Sequence, residues 1–101
     1  MKVIINNGAD YYYKATYFIK RTLAMYDSQK ITLEQRDKRI DNYTKILNIL
    51  EKYKVDNDNF VANIDEKDVL DFIKEIQEVE RLFNKSFIKK KEIKIILTFC
   101  E

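Results

Sequence analysis

One glycine and no proline in 101 residues leave this chain few places to reverse sharply. Glycine supplies positive φ and proline pre-sets turn geometry. A sandwich or barrel of short strands needs such a signal about every 8–12 residues, so a few long elements are expected instead. Hydrophobic residues make up 46% and charged residues 36%. That composition suits one domain with one core, and neither a disordered polyelectrolyte nor a membrane protein.

Hydrophobic periodicity then places the elements. Lys2 to Asn6 alternates as a short strand (2–6), with Asn6-Asn7-Gly8 as a break and Asn7 as N-cap. A first helix is expected over 8–27. Thr32-Leu33-Glu34-Gln35 fits a capping box opening a second helix over 33–54, with Leu33, Ile40 and Tyr43 as the inward residues of its polar first half. Asp65, flanked by Ile64 and Val69 as a hydrophobic staple, caps a third helix over 66–83, with Asn84 beyond its end. Ile93, Ile95, Leu97 and Phe99 alternate with Lys94, Ile96, Thr98 and Cys100, which reads as a strand over 92–99. The expected fold is α+β and predominantly helical: three antiparallel helices flanked by short N- and C-terminal β-strands. Counting reversals makes the terminal strands parallel. Two strands are marginal, so a third is expected from residues 58–63 or from another chain. Ile19, Leu47, Leu50, Phe72, Ile76 and Phe83 lie centrally on the apolar stripes and should form the core.

Several chemistries are excluded by what is missing. Without His there is no Ser-His or Cys-His nucleophile. One Cys cannot build a structural zinc site, and one Gly cannot build a glycine-rich phosphate loop. Asp56-Asn57-Asp58-Asn59 resembles a calcium loop only at first: Val61 and Lys67 stand where an EF-hand needs Gly and Glu. Asp68, Asp71, Glu75 and Glu78 make a carboxylate stripe on the third helix. In some helical pyrophosphatases paired acidic motifs hold Mg²⁺; here the second helix offers Asp37 and Asp41, spaced by four in its polar half, rather than a matching E-x-x-E pair. The stripe is read as a secondary acidic surface, with imitation of nucleic-acid phosphates as another reading. No catalytic residue, metal or cofactor is assigned.

The most informative segment is Asp10-Tyr-Tyr-Tyr-Lys-Ala-Thr-Tyr-Phe. At about 100° per residue, three consecutive tyrosines cannot share one buried face. Tyr11, Tyr12, Ala15, Phe18, Ile19, Thr22, Leu23, Met25 and Tyr26 fall on one broad inward arc, and Tyr13, Tyr17, Lys20 and Arg21 point outward. Tyr and Arg are over-represented at binding hot spots, so these four are the candidate partner-binding residues. The bland alternative is that Tyr is amphipathic and often half-exposed on monomers.

Charge is segregated. Residues 1–55 carry 11 positive and 6 negative groups, residues 56–83 carry 3 and 9, and residues 84–101 carry 5 and 2. The basic segments 14–21 and 85–94, the latter including Lys85 and Lys89 to Lys91, make nucleic-acid binding the alternative function. Five lysines without an arginine in the last segment argue against base-specific readout. The apolar residues Ile93, Ile95, Leu97 and Phe99 suggest self-association through a strand edge, giving a homodimer.

No apolar run approaches the roughly 20 residues that span a bilayer, the first seven residues do not read as a signal peptide, and one Cys forbids an internal disulfide. The expected location is cytoplasmic. Lys, Ile, Asn, Tyr and Phe, all encoded by A/T-rich codons, supply 50 of 101 residues, which points to a low-GC genome. In size, composition and lack of catalytic groups, the chain resembles small bacteriophage or mobile-element proteins that bind and block a host factor. The expected function is therefore non-enzymatic binding of a macromolecule, a protein first, as inhibitor, adaptor or regulator.

Overall fold

A computed structural model describes residues 1–86 and 93–100. Lys89 to Lys91, in the basic C-terminal run, fall outside the described residues. The elements run β1 (Lys2–Ile5), α1 (Gly8–Asp27), α2 (Leu33–Glu51), β2 (Val61–Asn63), a 3₁₀ turn (Glu66–Asp68), α3 (Val69–Ser86) and β3 (Leu97–Cys100). The fold is α+β and mostly helical, with a three-stranded sheet ordered β2-β1-β3.

Both outer strands run antiparallel to β1, so the expected parallel pairing of the terminal strands is incorrect. The reason is β2: the third strand adds one reversal of the chain between α2 and α3. Register places Val3 between Ala62 and Phe99. Val3, Ile5 and Ala62 are buried on the helix-packed face, whereas Lys2 and Asn63 are exposed.

α1 follows β1 after two residues, and Gly8 makes that tight entry fit. A Cβ on Gly8 would lie 2.7 Å from both Cβ and Cγ of Phe60, one of the largest fully buried side chains. Any other residue there would have to displace Phe60. Asn7 does not cap α1 with its side chain. Its amide instead donates to the Lys94 carbonyl (3.0 Å) and accepts from the Ile96 N–H (3.0 Å). The expected apolar arc of α1 contains its most buried side chains, Ala15 and Thr22, while Leu23 at the edge of that arc is exposed. Gly8, Ala15 and Thr22, spaced by seven, are the buried residues of the helix; Ile19 is partly buried.

α1 closes on a Schellman-type turn. The N–H groups of Ser28, Gln29 and Lys30 donate to the carbonyls of Ala24, Tyr26 and Met25. Gln29 takes φ 60°, a left-handed conformation that is strained for a residue with a Cβ. Gln29→Gly is therefore expected to stabilise the fold by about 0.5–1 kcal/mol. The urea midpoint should rise with an unchanged slope; a lower midpoint would mean that the turn does not hold Gln29 left-handed.

The capping box of α2 forms as expected, with Thr32 accepting from the Gln35 N–H and Gln35 accepting from the Thr32 N–H. The helix ends at Glu51, three residues before the expected Lys54. The Tyr53 carbonyl accepts from the Val61 N–H, and Lys54 bridges Phe60, so both residues serve the sheet side of the loop. Leu33 is exposed rather than inward, while Tyr43 is buried. At the next turn, the Asp65 side chain makes no capping bond, and the first turn expected to be α-helical is 3₁₀. Asn84 lies inside α3, which continues to Ser86.

The helices meet on an aromatic chain. Phe18 stacks on Tyr43 (ring centroids 5.8 Å), and Phe83 meets both Tyr43 (6.3 Å) and Tyr11 (5.4 Å). This chain joins α1, α2 and α3 around Ile46, Leu50, Ile76 and Val79, all buried. Of the expected core, Leu50, Phe72, Ile76 and Phe83 are buried, while Ile19 and Leu47 pack at its margin.

Of the expected strand over 92–99, Glu92 lies outside the described residues and the strand itself begins at Leu97, because side chains bind the backbone N–H groups of Ile93, Ile95 and Ile96 and the Lys94 carbonyl. On one side Asn7 binds Lys94 and Ile96. On the other, Asn84 accepts from the Ile93 N–H (2.8 Å) and Glu80 accepts from the Ile95 N–H (2.7 Å). Ile93 is buried, and Ile95 and Leu97 pack against the core.

Candidate binding surface

All four expected partner-binding residues, Tyr13, Tyr17, Lys20 and Arg21, lie exposed on α1. They are not equivalent. Tyr13, 43% exposed, donates its hydroxyl to the Asn57 side-chain oxygen at 3.2 Å. Its ring lies edge-on to Tyr12 (5.2 Å), with the Lys54 ammonium 5.6 Å from its centroid. Tyr17, 56% exposed, touches the ring of its neighbour Phe18 edge-on. No ion pair engages Lys20 or Arg21 among the described residues. Lys14, in the same basic segment, turns back over the Tyr11 ring (5.4 Å).

Lys54 and Asn57 were not legible as members of this surface. They come from the loop after α2, where Asp56 organises the backbone by accepting from the N–H groups of Asp58 and Asn59, both at 2.9 Å. The Asn59 side chain first, then the Asp58 N–H, holds the Asp56 carboxyl below the usual carboxylate range. The Asp-Asn run is thus an Asx turn that presents Asn57 to Tyr13. The side-chain pattern identifies such a turn, but not the helix it docks on.

Beside this patch lies a shallow depression lined by Asn7, Asp10, Tyr11, Tyr13, Lys14 and Asp58. Tyr12, edge-on to Tyr13, donates to Glu51 at 2.5 Å and lies under Lys54. The bond to Glu51, then desolvation, pushes the Tyr12 phenol up to about 12. Burial, then a bond to Glu75, raises Tyr53 as well. Native-state preference for these protonated phenols is present in full below the ordinary phenol value of about 10 and is lost as pH rises through their raised values. In a spectrophotometric titration, Glu51→Gln is expected to move one phenol to lower pH. An unchanged curve would contradict the Tyr12–Glu51 contact.

The acidic stripe on α3 is not one uniform surface. Glu75 is engaged by Lys52 and by the Tyr53 hydroxyl. Glu78 takes a bond from Arg81 Nε at 2.8 Å, and that guanidinium holds its carboxyl low. Asp68 and Asp71 remain exposed beside a groove that Lys52, Ile64 and Phe72 also line. Among the described residues, no three Asp, Glu or Cys side chains converge as ligands of one ion, and no helix is long and apolar enough to cross a membrane. No protein-family model, curated protein or solved structure matches the chain.

Proposed function

We propose that this is a non-enzymatic, cytoplasmic protein that acts by binding another protein through the outward face of α1, as an inhibitor, adaptor or regulator. The observation that carries this reading is Tyr17: more than half exposed on a helix beside Lys20 and Arg21, which have no ion-pair partner among the described residues. A solvated helix face ordinarily favours small or flexible polar residues, and a large aromatic beside an Arg is the composition of interface centres. Tyr13, Lys54 and Asn57 extend the patch as a pre-ordered rim, which reduces the ordering cost of docking.

Nucleic-acid binding through segments 14–21 and 85–94 is the second reading. Exposed Lys20, Arg21, Lys85 and Lys94 favour it; the turn of Lys14 onto Tyr11 weakens it. Affinity purification from the native host, followed by salt titration of the captured complex, separates the two. A protein partner that stays bound with weak salt dependence supports the first. Steep loss of a captured nucleic acid with salt supports the second.

A further inference from the structure

We propose that β3 pairs antiparallel with β3 of a second copy, Leu97 of each chain opposite Phe99 of the other, joining two three-stranded sheets into one of six strands. This surface is separate from α1 and does not depend on the reading above.

Backbone directions alternate along an antiparallel strand. The Ile96 carbonyl accepts from the Asn6 N–H at 2.9 Å, on the β1 side. The N–H groups of Ile93 and Ile95 point the opposite way, to Asn84 and Glu80. Continuing the alternation, Thr98 and Cys100 face β1, and Leu97 and Phe99 face away from it. Asn84 and Glu80 thus stand in for a neighbouring strand at residues 93 and 95. No described residue does so at 97 and 99, and β3 is an outermost strand. Edge strands are usually guarded by charge, proline or a bulge; residues 96–100 contain no charge and no proline.

A second copy fits this edge for three reasons. Pairing centred on Thr98 matches the N–H and C=O of each Leu97 with those of a Phe99, so every outward group in the stretch finds a partner. It sets no like charges opposite each other. It also lays Phe99, 47% exposed, beside Leu97 of the other chain on the helix-packed face, and Ile96, 59% exposed, beside Cys100 on the other face. Glu80, already bonded to Ile95, closes the open stretch and confines the pairing to about residues 96–100.

That register gives a direct test. Ile96 and Cys100 of opposite chains form a non-hydrogen-bonded pair, whose Cα atoms lie about 4.5 Å apart, within disulfide reach. Within one chain the same two positions are roughly 13 Å apart, too far to bridge. Ile96→Cys is therefore expected to form a covalent dimer with oxidised glutathione, which accepts the two protons and two electrons released by each thiol pair. Wild type and the distant Val55→Cys should form far less. In sedimentation at the highest attainable concentration, wild type should self-associate. Phe99→Pro, which removes an outward N–H and leaves the β1 ladder intact, should remain folded and monomeric. A monomeric wild type, a Phe99→Pro dimer, or no enrichment of the Ile96→Cys dimer over Val55→Cys would overturn the pairing.

Discussion

Phe83→Ala is expected to destabilise the fold by about 3–5 kcal/mol. Phe83 is fully buried, and its ring touches both Tyr43 of α2 and Tyr11 of α1. Removing it deletes apolar transfer energy, leaves a cavity, and cuts the aromatic chain where three helices converge. The surrounding residues come from different helices, so they cannot collapse into the space together without moving the helices themselves. Domains of this size are stable by roughly 5–15 kcal/mol, so the variant should be near its unfolding threshold. Urea unfolding followed by circular dichroism measures this; a loss under about 1 kcal/mol would mean that Phe83 does not hold the helices together.

Periodicity was sufficient for the helices because each buries a stripe with a regular spacing. It located Leu50, Phe72, Ile76 and Phe83 in the core, and the capping box fixed where α2 begins. It erred where side chains rather than ladders hold the backbone. Asn7 and Asn84 look like helix caps, since both types favour helix ends. Their amides instead carry residues 93–96 from opposite sides. That long-range use leaves no local trace, so alternation alone extends the strand beyond Leu97–Cys100. The direction of β3 depended on a three-residue strand, β2, whose presence reverses the count. On α1, periodicity gives a broad inward arc; its centre at Ala15 and Thr22 is buried together with Gly8, whereas Tyr11 and Tyr12 are half-buried and Leu23 at its edge is exposed. Tyr13, Tyr17, Lys20 and Arg21 are exposed because they lie about 120° or more around the helix from Ala15, at about 100° per residue. The bond from Tyr13 to Asn57 could not be read, since its partners are 44 residues apart.

The second large effect concerns binding. Tyr17→Ala with Arg21→Ala is expected to weaken partner affinity by about 2 kcal/mol or more, near 30-fold, while leaving stability within about 0.5 kcal/mol of wild type. Neither side chain has a hydrogen bond or ion pair to another described residue, and both lie away from the buried arc. Truncation should therefore cost little in the isolated protein. Tyr13 is a poorer probe, because Tyr13→Ala would also release Asn57 and uncover Lys54. A docked partner, by contrast, would bury the Tyr17 ring and pair with the Arg21 guanidinium, and lose both.

The decisive measurement is calorimetric titration of the purified, captured protein partner into wild type and into the Tyr17→Ala, Arg21→Ala variant, with urea unfolding of both as the control. The variant is expected to be equally stable and to bind about 30-fold more weakly. Full affinity in a stable variant would contradict this and move the binding surface away from α1.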